Sequence, residues 1–481
     1  MMFKNINFGK AAGEQESAYY PDLINEGFYN YNNAISKMID GEEFLIQGYK
    51  GSGKSTIAEK ISSIALAEPD KLLNAKKIYL KDYPFTRFNQ IYPGSEGEES
   101  KFPRVWSYLL LSILLNLIYE SKDGVSWGEK REDFDASIEK LRALGILSSG
   151  ELYNITMNAS RKSFKVSLPK ILEFTLSPQP DNEATILFDN VIDVFKKLIH
   201  DYKSDKTNII LIDGLDDVIL EKGLQLKILS ALIFEANNIN REFKTKNINA
   251  KICILIRVDL YEKLPSGNKN KSSNDSSILL NWYNDVKDPV QTHLIKGANL
   301  RARLATNGQY EITDFFNKKI EKQHGKETLS FLLNHTRHTP RDFFQLLKFI
   351  QQHHDESEFK VSDDAILNGI RAYSHEYFLP EITDEVSGHI ELDDFESFLN
   401  AISIIKQREF KFDTLLQHYN TSGNDIEKLQ KLLGILFKCS AIGHKFDQDR
   451  YEHVYWNKYA RFDIEKTICL HRGMWKALNL I

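Results

Sequence analysis

The sequence predicts an α/β fold built around a parallel sheet. Three apolar runs of strand length, at residues 44–46, 209–212 and 252–256, indicate central strands, because strands covered on both faces are apolar without alternation. Segments with helical periodicity separate these runs, which is typical of βαβ units. One more strand is predicted at residues 77–82. We therefore expect a parallel core with a large helical insertion, followed by helices and a small α+β region.

Length and composition indicate a globular protein of several domains. The chain has 481 residues, of which 42% are hydrophobic and 27% are charged. The net charge of −5 predicts no whole-chain attraction to nucleic acid or to anionic membranes. Cys253, Cys439 and Cys469 are far apart, which argues against a disulfide framework or a zinc site and fits a reducing compartment.

No segment is predicted to cross a membrane or to direct secretion. The first residues lack the apolar core of a signal peptide. The longest apolar run, residues 108–118, is shorter than the roughly 20 residues that a membrane span needs. We expect a cytoplasmic protein without a membrane partner.

A glycine-rich turn follows the first apolar run and precedes a helical segment. Gly48, Gly53, Lys54 and Ser55 match G-x-x-x-x-G-K-[ST], the phosphate-binding P-loop. Glycines let backbone N–H groups point into the turn, where the helix N-terminus also attracts polyphosphate. Lys54 is expected to reach the β- and γ-phosphates, and the Ser55 hydroxyl to bind Mg²⁺. The predicted phosphate contacts are Gly48, Lys50, Gly51, Ser52, Gly53, Lys54, Ser55 and Thr56. The structural alternative is a plain turn before a surface helix.

An acidic cluster follows the second apolar run. Asp213 comes directly after the run, and Asp216 and Asp217 follow within four residues. Ligands bind at the carboxyl ends of strands in open α/β sheets. Asp213 is expected to hold Mg²⁺ through water, and Asp216 or Asp217 to orient or deprotonate the attacking water. An Asp-rich turn is common after a buried strand, so the prediction depends on the upstream P-loop.

The stretch from Asp213 to Asp217 resembles the second motif of STAND ATPases. In the NACHT group of these proteins an apolar strand leads into D-G-apolar-D-E, and this chain has Asp-Gly-Leu-Asp-Asp. The resemblance implies that Asp217 takes the place of the acidic catalytic residue, as Asp instead of Glu. Related AAA+ enzymes place Glu directly after the Mg²⁺ aspartate, where this chain has Gly214.

The same resemblance implies roles for two arginines. Arg257 ends the third apolar run, where STAND proteins carry the sensor 1 arginine that reports the γ-phosphate. The alternative for Arg257 is an ion pair with Asp259 or with the cluster near Asp213. The step Pro340-Arg341-Asp342 resembles the sensor 2 helix of AAA+ and origin-recognition ATPases, whose arginine touches the nucleotide from a helical lid. The alternative for Arg341 is a structural arginine on a helix face.

Two further groups of side chains carry weaker predictions. Arg301 or Arg303 could act in trans on a neighbouring subunit's γ-phosphate, but ordinary surface charge is favoured for each. Aromatic residues within residues 1–40 could stack on the nucleobase. Packing of the N-terminal helices onto the core is the favoured alternative for them.

Four domains are expected. They are an N-terminal segment near the nucleobase (1–40), an ATPase core (41–265) with its helical insertion (about 100–190), a helical lid (266–380) and a winged-helix-like region (381–481). Lys and Arg exceed Asp and Glu by only three over residues 395–481, so charge does not support DNA binding by that region.

The resemblance implies an ATP-binding and ATP-hydrolysing molecular switch of the STAND/AAA+ type, with ATP and Mg²⁺ as its cofactors. A homo-oligomer and a separate effector protein are the expected partners, and anti-phage defence is the expected setting. Two alternatives stay open. One is a DNA-associated ATPase of the origin-recognition or transposition-helper class, which would make nucleic acid a partner. The other is a scaffold that binds ATP without hydrolysing it.

Overall fold

The computed structural model describes residues 3–67, 72–81, 83–88, 90–92, 97–121, 128–161, 183–215, 223–265, 275–419, 426–447 and 450–480. The chain divides into two compact units. The sheet unit contains residues 32–49 and 54–280, and the helical unit contains residues 1–31, 50–53 and 281–481. The four residues of the glycine turn that precede Lys54 therefore belong to the helical unit.

A five-stranded parallel sheet forms the centre of the sheet unit. Its strands are β1 (Leu45–Gly48), β2 (Leu73–Tyr79), β3 (Thr207–Asp213), β4 (Ala250–Arg257) and β5 (Ser277–Leu280). Their order across the sheet is β2-β3-β4-β1-β5, and every neighbouring pair is parallel. β1, β3 and β4 are the three predicted apolar runs. The predicted fold class, a P-loop α/β core with helical regions, is confirmed.

Helices connect and cover these strands, and four of them form the predicted insertion. The helices of the sheet unit are α3 (Ala34–Asp40), α4 (Lys54–Ala67), α5 (Phe85–Phe88), α6 (Glu98–Glu120), α7 (Gly128–Ala143), α8 (Leu152–Arg161), α9 (Glu183–Tyr202), α10 (Gly223–Thr245) and α11 (Val258–Lys263). The insertion consists of α6 to α9. Two short helices, α1 (Gly13–Tyr19) and α2 (Pro21–Asn25), precede them in the chain and belong to the helical unit.

The apolar run of α6 lies in the core of the sheet unit. The stretch Ser100–Glu120 is long and apolar enough to span a membrane, yet 83% of its apolar 18-residue window is buried inside the protein. Its polar groups have partners there, since the Trp106 indole donates to the Ile228 carbonyl at 2.8 Å and the Tyr108 hydroxyl to the Ile146 carbonyl at 2.8 Å. Such burial and satisfied polar groups are typical of a core helix.

The helical unit continues with helices and a small hairpin. The helices are α12 (His293–Ala305), α13 (Thr328–Leu333), α14 (Pro340–His353), α15 (Asp363–Tyr373) and α16 (Leu379–Ser387), and the hairpin strands are β6 (Lys319–Ile320) and β7 (Lys326–Glu327). A π-helical turn, Ser374–Phe378, joins α15 to α16. α14 begins as the sequence indicates, because Pro340 takes its first position and the Thr339 hydroxyl accepts the Asp342 N–H.

The end of the chain has a winged-helix-like arrangement. Three helices, α17 (Leu392–Ile405), α18 (Phe412–His418) and α19 (Ile426–Lys438), accompany four short strands, β8 (Glu409–Phe410), β9 (Ile442–Asp447), β10 (Arg450–Glu452) and β11 (Thr467–Leu470). The antiparallel sheet has the order β10-β9-β11-β8, and β9 and β10 form the wing hairpin. A last helix, α20 (Arg472–Trp475), follows.

Three strand predictions were wrong in detail. β2 begins at Leu73 and ends at Tyr79, upstream of the predicted 77–82, because this sheet-edge strand is only partly buried and contains polar residues. β5 was missed, since residues from 266 onward were predicted to form a helical lid. The strand β11 of the winged-helix-like region was not predicted either.

Candidate functional site

The glycine turn joins the end of β1 to the start of α4. Gly51 and Gly53 have φ angles of +78° and +88°, a region that L side chains rarely adopt. A Cβ on Gly51 would also lie 2.9 Å from the Cβ of Arg341, so that position needs glycine for space as well as for conformation. A Cβ on Gly53 would meet no atom within 4 Å. The turn therefore has the backbone that the motif predicts.

Lys54 begins α4, and its side chain is 6% exposed. Its ammonium donates to the carbonyl oxygens of Gly48 at 3.2 Å and of Tyr49 at 3.3 Å. Carbonyl oxygens carry only partial negative charge, so phosphate oxygens would bind this cation more strongly. Ser55 and Thr56 follow in the first turn of α4 and are half-buried.

Two residues of the helical unit donate hydrogen bonds to the backbone of residues 50–53. The Trp282 indole N–H donates to the Ser52 carbonyl at 2.9 Å, and the Arg341 backbone N–H donates to the Gly51 carbonyl at 3.3 Å. The Ser52 hydroxyl is buried and has no hydrogen-bond partner among the described residues. A buried hydroxyl without a partner is costly, which fits a position that binds a polar ligand.

The strand register brings three predicted site residues to one edge of the sheet. β1 pairs with β4 so that Gly48 lies opposite Arg257. β3 runs parallel on the other side of β4 and ends at Asp213, so all three strands end at the same edge. Asp213 is buried, and its Oδ1 accepts the Gly214 N–H at 2.8 Å. This edge is where open α/β sheets bind ligands.

Arg257 is held by a two-pronged ion pair. Its Nε and Nη2 donate to the two carboxylate oxygens of Asp259, each at 2.9 Å. Burial alone would raise the pKa of Asp259, but the guanidinium outweighs it and holds that pKa below its usual value. The ion pair weighed against the sensor 1 role is therefore present. Arg257 still lies beside Gly48, and its sensor role stays a prediction.

Asp216 and Asp217 lie outside the described residues. Their predicted role in orienting or deprotonating water stays a prediction. The same holds for the metal role of Asp213 and Ser55, although Asp213 lies at the sheet edge where the prediction requires it.

Arg341 and Lys50 share a partner. Arg341 follows Pro340 in the first turn of α14, and its Nε donates to the Ala11 carbonyl at 2.9 Å. Its Nη1 lies 3.4 Å from Oε1 of Glu381, and Nζ of Lys50 lies 2.9 Å from the same oxygen. Sequence reasoning missed Glu381, since no local motif marks it.

Arg301 and Arg303 differ in burial and in their partners. Arg301 is buried and donates to Glu16 at 2.7 Å, so the interpretation as surface charge was wrong. Arg303 is exposed and pairs with Glu311. Among the aromatic residues within residues 1–40, Tyr31 is buried and its hydroxyl donates to the Asn281 carbonyl at 2.7 Å, whereas Tyr19 is 72% exposed. Base stacking by any of them stays a prediction.

The residues present fit a magnesium–nucleotide complex. The turn offers a glycine backbone with positive φ angles, a buried lysine whose ammonium donates to two backbone carbonyls, and a buried serine hydroxyl without a partner among the described residues. The Ser55 hydroxyl and the Asp213 carboxylate are oxygen ligands of the type that Mg²⁺ prefers. Ser55 and Asp213 would hold the ion, and the turn with Lys54 would bind the phosphates.

Comparison with known proteins adds little to this description. No protein-family model matches the chain, and no curated protein matches it. Among solved structures, the chain is similar to Cdc6p from Pyrobaculum aerophilum, with 11% identity over 98% of this chain and 95% of that chain, and a TM-score of 0.33. A likeness this weak carries no argument about function. The assignment of the fold rests on the strand order and on the glycine turn. The core has the P-loop α/β fold.

Proposed function

We propose that the protein binds ATP with Mg²⁺ and hydrolyses it. The observation that carries this proposal is the P-loop turn at the sheet edge where Asp213 and Arg257 also lie. Backbone N–H groups of the turn and the Lys54 ammonium bind the phosphates. Ser55 and Asp213 would hold Mg²⁺, which would offset the negative charge that develops on the phosphates during transfer. Asp217 or Asp216 orients water for attack on the γ-phosphate, and catalysis consists of positioning and electrostatics.

The proposal extends to a switch of the STAND/AAA+ type. The motif from Asp213 to Asp217 supports this class, and so do the helices and the winged-helix-like region that follow the core. Nucleotide occupancy would change the arrangement or the oligomeric state of the chain, and a separate effector protein would receive the signal. A cytoplasmic location and a role in anti-phage defence belong to the same proposal and rest on analogy.

Binding and turnover test the first step. Purified full-length protein is titrated with a slowly hydrolysed ATP analogue and Mg²⁺, and phosphate release from ATP is then measured. We expect micromolar binding that Lys54→Ala weakens at least about a hundredfold, because the variant loses a charged contact. Lys197, an exposed lysine on α9, is the matched control, and Lys197→Ala should bind like the wild type. Binding that survives Lys54→Ala unchanged contradicts the proposal, and binding without phosphate release favours the scaffold alternative.

A second candidate is a DNA-associated ATPase, and the wing hairpin favours it. Phe446 on β9 is 40% exposed, with Lys466 at 4.6 Å and Arg450 at 5.4 Å from the centre of its ring. Tyr459, 78% exposed, lies 4.9 Å from the ammonium of Lys458. Exposed aromatic rings beside cations suit base stacking and phosphate contact, although whole-region charge does not predict this local surface.

Salt-dependent binding separates the two candidates. The DNA-associated candidate predicts that duplex or single-stranded DNA binds with an affinity that falls steeply as salt rises. DNA should also stimulate phosphate release. The absence of both effects removes this candidate and leaves the ATP-binding proposal intact.

A further inference from the structure

One carboxylate of the helical unit binds two cations predicted to contact the nucleotide. Oε1 of Glu381 lies 2.9 Å from Nζ of Lys50 and 3.4 Å from Nη1 of Arg341. The Glu381 side chain is only 14% exposed, so these contacts are partly shielded from water. The carboxylate oxygen lies between an ammonium and a guanidinium. A negatively charged phosphate oxygen prefers the same position between two cations.

The surrounding contacts fix where this carboxylate lies. Glu381 is in the first turn of α16, directly after Pro380. Arg341 is held in place by its own backbone N–H on the Gly51 carbonyl and by its Nε on the Ala11 carbonyl. Glu381 therefore links α16 to the start of α14 and to the glycine turn.

The charged residues next to Glu381 pair with one another, and Glu381 itself pairs with Lys50 and Arg341. Glu385, one turn later on α16, accepts a hydrogen bond from Arg337 at 2.7 Å. Arg337 also donates to Asp342 at 2.9 Å. Burial would lower the pKa of Arg337, but Asp342 and Glu385 raise it well above its usual value, so this network stays charged.

We propose that Glu381 sets the affinity of the nucleotide site by competing with a nucleoside triphosphate for Lys50 and Arg341. Binding of the phosphates requires these cations to leave the carboxylate, and α16 then loses its link to the glycine turn. Nucleotide occupancy is thereby coupled to the position of α16, which leads into the winged-helix-like region. This inference rests on the proposed function, since it requires that the turn bind ATP.

Removal of the charge tests the competition. Glu381→Gln keeps the size of the side chain but removes the negative charge, so Lys50 and Arg341 become available to phosphate. We expect this variant of the full chain to bind a slowly hydrolysed ATP analogue about tenfold more tightly than the wild type, a typical coupling between linked equilibria. Glu376→Gln is the matched control, because it removes the same charge from an exposed residue of the preceding π-helical turn. The control should bind like the wild type.

A double-mutant cycle locates the effect. If Glu381 acts through Arg341, the gain from Glu381→Gln should fall by more than half in an Arg341→Gln background. Should Glu381→Gln fail to fold, Glu381→Asp withdraws the carboxylate by one methylene and should tighten binding about threefold, an intermediate coupling.

The outcomes distinguish this inference from the proposed function. Unchanged or weaker binding by the folded Glu381 variant overturns the competition. A gain that persists fully without Arg341, or that Glu376→Gln reproduces, also overturns it. A wild type that does not bind the analogue at all refutes the proposed function itself.

Discussion

Acidification below pH 6.5 should destabilise the helical unit, because several buried histidines there resist protonation. Burial lowers the pKa of His335 to about 4, of His338 to about 3 and of His453 to about 4, all from an ordinary value of 6.5. Burial lowers the pKa of His471 well below that value too. The rings of His453 and His471 are 5.4 Å apart, and the ring of His338 stacks on Tyr455 at 5.2 Å.

The sign of the effect follows from proton binding. Between pH 6.5 and the lowered pKa values the unfolded chain binds more protons than the folded one, so stability falls as pH falls. At about pH 5 each of these histidines lowers the free energy of unfolding by about 2 kcal/mol relative to neutral pH, because its pKa in the unfolded chain is near 6.5. The loss from His335, His338 and His453 together is roughly 6 kcal/mol, comparable with the whole stability of a domain.

Hydrogen exchange at several pH values measures this loss where it arises. We expect exchange protection in α14 and in β9 to β11 to decrease steeply between pH 6.5 and 5, while the sheet unit changes less. His338 adopts a left-handed φ of +51°, which Asn tolerates, and neither of its ring nitrogens has a partner among the described residues. His338→Asn should therefore reduce the pH dependence of the free energy of unfolding by about 1.4 kcal/mol per pH unit. Protection that is constant from pH 6.5 to 5 would refute the reasoning.

Three further predictions concern the turn and the wing. Gly51→Ala should lower the free energy of unfolding by about 2 kcal/mol and abolish nucleotide binding, because the new Cβ strains a left-handed φ and contacts Arg341. Denaturant unfolding measures the first effect, and a nucleotide titration measures the second. Trp282→Phe removes the hydrogen bond to the Ser52 carbonyl and should cost about 1 kcal/mol in the same assay, and an unchanged stability argues against that bond. Phe446→Ala should weaken DNA binding by about 1–3 kcal/mol if the wing stacks on bases, and equal binding in a gel-shift titration would exclude that contact.

Local signals made the centre of the fold predictable. β1, the glycine turn and the start of α4 are contiguous in sequence, so the motif and its geometry could be predicted together. β3 and β4 are continuous apolar runs, and their parallel pairing places Asp213 and Arg257 at one edge. Each strand, and the turn, is indicated by residues within about ten positions of one another.

Features that depend on distant residues could not be predicted. Lys50 and Glu381 are 331 positions apart, and nothing near either residue marks the other as its partner. Arg301 was interpreted as surface charge because its partner Glu16 lies in the N-terminal segment. β5 has only four residues and follows a polar stretch, so neither length nor alternation distinguishes it from a loop.

Magnesium-dependent phosphate release by the purified full-length protein tests the central claim most directly. The account predicts ATP turnover that disappears without Mg²⁺, that Lys54→Ala and Asp213→Asn each reduce at least about a hundredfold, and that Lys197→Ala leaves unchanged. Thermal unfolding of each variant establishes that it is folded. Turnover that persists in folded Lys54→Ala and Asp213→Asn proteins would contradict the assignment of this turn and this sheet edge as the ATP site.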